Sequence, residues 1–380
     1  MVRSASAEDL SQTAEPGPEL DAGAKAILQR HADWWRGKGM LFAEVPDVPL
    51  GDLWLPLADG SLASEDLDPL PEMLDVERLA GSALEPGPLG FMGDHIATRQ
   101  PYVRVPWVEA ILGCPIRATI QGGSMRTRSF ISDWTEWQRR ATHRDVAWFD
   151  LLTRLTGLMV ARSGGRYAVA QTLMRGPSDL AEAILGPELL CLSIYDHPRE
   201  LRRFLDTVTG AFLEILWSQL ERIPRIEGGC VNPFGVWAPG TTVRTQCDAS
   251  AFLSPDHYAR WFLPYDVRIS EAVDYATIHL HSGSLHTVDA LLRIERPQAI
   301  QVSLDPQPSG PPVEALLSVF RKILAYKPLI VDGTMAPEEV QLLRDELPPD
   351  GLYIRARSFA QPSNRTASQG TSISSRLSPP

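Results

Sequence analysis

The chain has 380 residues, of which 44% are hydrophobic and 22% are charged, so it can bury a large core and is not globally disordered. Its 36 Lys and Arg residues against 47 Asp and Glu residues give a net charge of −11, which disfavours nucleic acid or anionic lipid as the main partner. No stretch approaches the roughly 18 apolar residues of a membrane span. The N-terminus also lacks the apolar segment of a secretory signal, so we expect a cytoplasmic protein.

The cysteines are few and widely separated, and no two of them form a C-x-x-C pair. They are Cys114, Cys191, Cys230 and Cys247. This spacing argues against a disulfide scaffold and against a four-thiolate zinc site. The phosphate-binding patterns G-x-G-x-x-G and G-x-x-x-x-G-K-[ST] are also missing, as is the G-x-S-x-G pattern of serine hydrolases.

The two ends and the N-terminal region differ in composition from the rest of the chain. Residues 1–20 and 359–380 are polar and are predicted to be flexible tails. Residues 21–90 begin with a short helix that ends in glycine and continue with a strand at 40–46. The remainder of this segment is crowded with Pro, Asp and Gly, which predicts an irregular arm that packs on the following domain.

From about residue 91 the chain alternates between β-rich runs and amphipathic helices. Strands are predicted at 115–121, 167–173, 230–237, 242–248, 275–281, 298–304, 328–333 and 352–357. Helices are predicted at 132–162, 178–187, 197–222, 254–273, 285–295, 311–326 and 336–347. This repeated alternation favours parallel strands with crossover helices. We therefore predict an α/β protein with a single (β/α)8 TIM-type barrel over 91–358 and an irregular Pro-rich N-terminal extension.

Polar residues at the ends of the predicted strands are the candidate site, because a barrel carries its active site at the carboxyl ends of its strands. His279 and His281 are two apart on one strand and share a face, so they could share a metal ion. Cys247 or Asp248, at the end of the preceding strand, could complete the ligand set. Arginine side chains suit carboxylates and phosphates, and the candidate substrate-binding residues are Arg126, Arg175, Gln301 and Arg355.

Several segments together resemble the uroporphyrinogen decarboxylase superfamily, which includes cobalamin-linked methyltransferases. Between 247 and 306, Asp248 stands before Leu-Ser-Pro, an aromatic helix ends in Leu-Pro-Tyr, and a strand ends in His with Ser-Gly after it. Earlier, the strand-turn-helix segment 167–186, the Tyr-Asp-His-Pro segment 195–198 and the Pro-Trp-Val-Glu-Ala-Ile-Leu-Gly segment 106–113 are also similar to the family. The resemblance spans roughly 90–357 and implies a (β/α)8 barrel.

The resemblance implies methyl transfer between a corrinoid or folate carrier and a small substrate. The catalytic residues would be His279, Asp248, Tyr195 and Glu109, with zinc or a corrinoid as cofactor. A corrinoid-binding protein would be a partner, and the chain could form a homodimer. In the methyltransferase branch a His-x-Cys pair and a later cysteine bind zinc, whereas here His281 occupies the cysteine position. Two alternatives stay open: a decarboxylase of a porphyrinogen-like polycarboxylate, and a non-catalytic ligand-binding barrel.

Overall fold

Parallel strands and the helices between them dominate the computed structural model of the chain, which describes residues 20–358 apart from 48–50, 141–142 and 297. The predicted tail 359–380 and nearly all of the predicted tail 1–20 lie outside the described residues. None of the helices in the described part is long and apolar enough to cross a membrane.

The helices of the described residues follow the strands in chain order. They are α1 (Ala22–Trp35), α2 (Val76–Ala80), α3 (Trp107–Ile111), α4 (Trp134–Arg140), α5 (Val146–Arg162), α6 (Pro177–Asp196), α7 (Pro198–Leu220), α8 (Pro255–Trp261), α9 (Leu263–Glu271), α10 (Val288–Leu291), α11 (Val313–Leu324) and α12 (Pro337–Glu346). Two short 3-10 helices cover Pro71–Met73 and Asp248–Phe252.

The strands of the described residues fall into one large sheet and several small pairs. They are β1 (Leu41–Pro46), β2 (Phe91–Met92), β3 (His95–Ile96), β4 (Thr98–Arg99), β5 (Ile116–Thr119), β6 (Ser124–Thr127), β7 (Ala168–Val169), β8 (Cys230–Val231), β9 (Trp237–Ala238), β10 (Thr242–Gln246), β11 (Tyr275–His281), β12 (Gln298–Ser303), β13 (Leu329–Thr334) and β14 (Leu352–Ser358).

The large sheet has six parallel strands in the order β1-β14-β13-β12-β11-β10. A separate parallel pair joins β4 to β7, and β2-β3, β5-β6 and β8-β9 are antiparallel. The chain therefore has an α/β fold with a parallel sheet, as predicted. Backbone pairings in the described residues do not join β7 to β10 or β4 to β1, so closure into a barrel stays a prediction.

Two of the predicted strands are antiparallel hairpins rather than members of the parallel sheet. Residues 115–121 form β5, which turns back into β6 through Gly122 and Gly123, both at positive φ. Residues 230–237 contribute to β8 and β9, whose turn is held by the Asn232 side chain, which accepts from the N–H groups of Phe234 and Val236. The prediction was wrong for these two segments because local turn chemistry folds each chain back on itself.

The predicted helix at 197–222 is confirmed as α7, and its apolar stripe is the centre of the core. Leu201, Phe204, Leu205, Val208 and Phe212 are all fully buried. Their spacing of three and four residues places them on one face of the helix. By contrast, the predicted helices at 132–162 and 254–273 are each divided in two.

The N-terminal segment contributes to the sheet as well as packing against it. Strand β1 pairs in parallel with β14, so a sheet strand lies within the segment 21–90. At the start of α1, Asp21 caps the helix by accepting from the N–H of Ala24 at 2.7 Å. At its end, Trp34 is fully buried and meets the Tyr353 ring edge-on, with the ring centroids 6.4 Å apart. This contact fixes α1 on the sheet.

Candidate functional site

The strand register aligns the candidate side chains in rows at the carboxyl end of the sheet. Gln246 of β10 pairs with His279 of β11, which pairs with Gln301 of β12. Two residues further along, His281 pairs with Ser303. Because alternate residues of a strand share a face, both histidines project to the same side of the sheet. The predicted grouping of polar residues at the strand ends is therefore present.

Asp248, His279 and His281 form a group in which one ligand atom from each residue lies within 4.8 Å of the others. The Asp248 carboxylate is 4.0 Å from His279 Nε2 and 3.8 Å from His281 Nε2. Ligand atoms about 2.0–2.2 Å from a tetrahedral Zn²⁺ would lie about 3.3–3.6 Å apart. Small side-chain rotations would therefore bring these three residues to bonding distance of one ion.

Hydrogen bonds at the other nitrogen of each imidazole orient the pair. His279 Nδ1 donates to Gln301 Oε1, and His281 Nδ1 donates to Asp305 Oδ1 at 2.6 Å. Both acceptors are oxygens, so in the neutral rings the proton sits on Nδ1 and the Nε2 lone pair is free. This arrangement, with a carboxylate or an amide behind each imidazole, is typical of metal-binding histidines.

Asp305 is itself fixed by several contacts, which makes it a rigid support for His281. Its Oδ2 accepts from Ser282 Oγ at 3.2 Å and from the Gly283 N–H at 3.1 Å. Its own N–H donates to Ser282 Oγ at 2.9 Å. These bonds connect the end of β12 to the loop after β11, and they set the direction in which His281 points.

Gln246 holds the third member of the group. Its Nε2 donates to Asp248 Oδ2 at 2.6 Å and to Asp179 Oδ2 at 2.9 Å, and its Oε1 accepts from the Arg244 guanidinium. Asp179 also accepts from the Ala249 N–H at 2.8 Å. One amide therefore bridges two carboxylates, and this fixes the conformation of Asp248.

The electrostatics of the group reflect its burial. Burial, with the negative charge of Asp179 next, raises the pKa of Asp248 to about 6. Burial also raises the pKa of Asp179. For His279, burial and then the positive charge of Arg244 hold the pKa well below its usual value. The imidazole of His279 is therefore neutral near pH 7, which is the form that binds a metal ion.

A cleft of about 430 Å³ adjoins this group and contains three arginines, Arg104, Arg126 and Arg175. Arg175 forms an ion pair with the buried Glu109, which raises the pKa of the guanidinium. Directly after Arg175, the Gly176 N–H donates to the carbonyl oxygen of Gln246 at 3.0 Å. The cleft and the candidate metal ligands are therefore connected through adjacent backbone.

Other predicted site residues have different surroundings. Gln301 is occupied by His279 and by Ser303 Oγ, to which it donates at 3.2 Å, so it supports an imidazole. Arg355 donates to Asp332 at 2.6 Å, and its buried Nε has no hydrogen-bond partner in the described structure. Glu109 lies behind Arg175 in the cleft and is not a member of the His/Asp group.

Tyr195 and Cys247 are not brought together with the other candidates. Tyr195 is 69% exposed near the end of α6 and bonds to His257 Nε2 at 3.2 Å, in a separate surface pocket. Cys247 is buried, and it lies close enough to Asp266 for that carboxylate to help burial raise the pKa of its thiol. It is Asp248, the next residue, that completes the group with the histidines.

Three supporting residues were not singled out from the sequence: Asp179, Arg244 and Asp305. Asp305 comes two residues after the end of β12, so its position at a strand end was a usable signal. Asp179 is in the first turn of α6, where an acidic residue has an ordinary explanation in the helix dipole. Arg244 is a fully buried guanidinium inside β10, and burial lowers its pKa to about 10. The sequence contains no sign of that burial.

The fold and site define an α/β protein with a His/Asp group at the carboxyl edge of a parallel sheet. No protein-family model matches the chain, and no curated protein matches it. Among solved structures, the fold is similar to that of a methyltransferase from Methanosarcina mazei, with a TM-score of 0.51 at 11% sequence identity. The match covers 87% of this chain and 93% of that protein, so the similarity extends over nearly the whole fold.

Proposed function

We propose that this chain is a metal-dependent methyltransferase of the uroporphyrinogen decarboxylase superfamily, which transfers a methyl group between a corrinoid or folate carrier and a small substrate. The observation that carries the proposal is the group of Asp248, His279 and His281, with both Nε2 atoms free and both Nδ1 atoms supported. The similarity of fold to a methyltransferase supports the choice of reaction.

The donor set fits a divalent metal ion. Asp248 Oδ1 is buried and has no hydrogen-bond partner among the described residues, and a buried polar atom without a partner is costly. Two imidazoles and a carboxylate suit zinc and other first-row divalent ions. The donors are nitrogen and oxygen rather than thiolate, so the chain departs from the His-x-Cys pattern and need not share its metal preference.

The chemistry requires a deprotonated acceptor beside the methyl donor. A divalent ion held by the three residues would lower the pKa of a thiol, alcohol or water bound to it. The acceptor lone pair then attacks the methyl carbon, and the carbon–carrier bond breaks with its electron pair remaining on the carrier. Arg126 and Arg175 would hold an acidic part of the substrate in the cleft, and Glu109 would keep Arg175 in place.

Two side chains support a closed barrel as part of this proposal. The amide of Gln171, just after β7, accepts from the N–H of Arg244 at 3.0 Å and donates to its carbonyl oxygen at 2.8 Å. Asp94, just before β3, donates from its N–H to the Phe42 carbonyl and accepts from the Phe42 N–H through its carboxylate, both at 2.9 Å. These bonds lie where β7 would meet β10 and where β1 would meet the segment leading into β4.

The test is methyl transfer by the purified, metal-loaded protein. Methylcobalamin and methyltetrahydrofolate are each offered with a panel of small thiols and alcohols, and the demethylated carrier and methylated product are measured. Wild type and His286→Ala should transfer the methyl group, and His281→Ala should not. The proposal fails if a metal-loaded wild type transfers nothing from either carrier, or if His281→Ala transfers as fast as wild type. Release of carbon dioxide from a porphyrinogen would support the decarboxylase alternative instead.

A further inference from the structure

A basic pocket lies on the outer surface where α6, α7 and α8 meet. Its volume is about 270 Å³, and its polar and aromatic lining comprises Tyr195, Arg199, Arg202, His257, Arg260 and Trp261. No acidic residue lines it, and this is unexpected in a chain with a net charge of −11. The acidic residues nearest in sequence are Asp196, Glu200 and Asp256, and none of them is among the lining residues.

The three arginines of this pocket are held by aromatic stacking rather than by ion pairs. The Arg202 guanidinium lies 4.5 Å from the ring centroid of Trp261, and that of Arg260 lies 5.8 Å from the same ring. Within the described part of the chain, none of these arginines has a carboxylate within ion-pair distance. Stacking on Trp261 orients the guanidiniums and leaves their N–H donors for a ligand.

His257 and the start of α7 add further donors. His257 is fixed by Tyr195 Oη at Nε2 and by Ser254 Oγ, 3.1 Å from Nδ1. Helix α7 has 23 residues and no side-chain cap at its N-terminus. Its first-turn N–H groups and its dipole therefore favour an anion beside Arg199. The pocket thus combines oriented cations with a helix N-terminus.

We propose that this pocket binds the phosphate group of a small molecule, or inorganic phosphate itself. Three guanidiniums without compensating carboxylates exceed what a single carboxylate needs, and they match a phosphate with several oxygens and about two charges. The site is separate from the His/Asp group and does not depend on the proposed methyl transfer. It would bind phosphate with or without a metal ion in the protein.

The experiment is a calorimetric titration of the full chain at low ionic strength with inorganic phosphate, glycerol phosphate and acetate. Wild type should bind a phosphate saturably. Arg202→Gln and Arg260→Gln should each weaken that binding about tenfold or more, as expected for loss of a hydrogen bond to a charged group. The matched control is Arg203→Gln, because Arg203 is exposed on the same helix but does not line the pocket.

The outcomes separate the source of the phosphate and can overturn the proposal. Tighter binding of glycerol phosphate points to a phosphorylated small molecule, and tighter binding of inorganic phosphate points to the free ion. The proposal is overturned if binding does not saturate, if acetate binds as tightly as phosphate, or if Arg203→Gln loses as much affinity as Arg202→Gln. Circular dichroism of each variant establishes that the fold is intact, so a loss of binding reports on the pocket.

Discussion

His281→Ala tests the metal site, because His281 can be removed without opening the core. The side chain of His281 is 45% exposed. A structural zinc site with four ligands is worth about 10–16 kcal/mol in total, or roughly 3 kcal/mol for each ligand. Loss of one ligand should therefore weaken metal binding by about two orders of magnitude. Asp305→Asn keeps an acceptor for Nδ1 and removes only its charge, so we expect a smaller loss of about tenfold.

The assay is titration of the metal-free protein with Co²⁺, followed by visible absorption, with elemental analysis after dialysis. His286→Ala is the matched control, because the Nε2 of His286 bonds to the Ser250 carbonyl at 3.0 Å and His286 is outside the group. The ranking should be wild type and His286→Ala first, then Asp305→Asn, then His281→Ala. Equal affinity in wild type and His281→Ala, or equal losses in the two histidine variants, would refute the assignment of the ligands.

Two further predictions concern the structure around the site. Burial raises the pKa of Asp266 from its ordinary value of 3.8 to about 7, so the folded protein holds a proton that the unfolded chain loses between those values. Stability from this group is fully present below about pH 4 and is lost as pH rises to 7, by about 4 kcal/mol in all. Asp266→Asn should therefore gain in melting temperature relative to wild type between about pH 5 and pH 8, and an unchanged difference would contradict the assignment. In Gly176→Ala, the new Cβ would lie 2.3 Å from the Gln246 carbonyl oxygen, so we expect a loss of about 1–3 kcal/mol by chemical denaturation and weaker Co²⁺ binding. Gly157→Ala, which meets nothing within 4 Å on α5, is the control and should not destabilise.

The parts of the site that follow from local periodicity could be predicted from the sequence. The two-residue spacing of His279 and His281 is enough to place both on one face of a strand. The position of Asp248 at the end of the preceding strand then brings it near them. These inferences need only the alternation of a strand and the adjacency of parallel strands, so they hold without knowledge of the packing.

The supporting residues and the position of Tyr195 depend on tertiary packing and could not be obtained in this way. Tyr195 belongs to a segment that resembles the family, yet it lies about five helical turns beyond the start of α6. Gly186, at φ 76°, and the proline after it also bend this helix. Asp179 is separated from Gln246 by 67 residues, and only the fold brings them together. No spacing rule connects residues at that distance.

The charges around Gln246 explain why a cation belongs at this site. Asp179 and Asp248 share one amide donor, and the buried Arg244 supplies a single positive charge beside them. One negative charge therefore lacks a partner when both carboxylates ionise. In the absence of a metal ion a proton fills this role, because the pKa of Asp248 is raised to about 6. A divalent ion between Asp248 and the two imidazoles would replace that proton, so metal binding and proton release are coupled. The arrangement keeps the carboxylates neutralised in both states, and this is why the fold can tolerate two of them so close together.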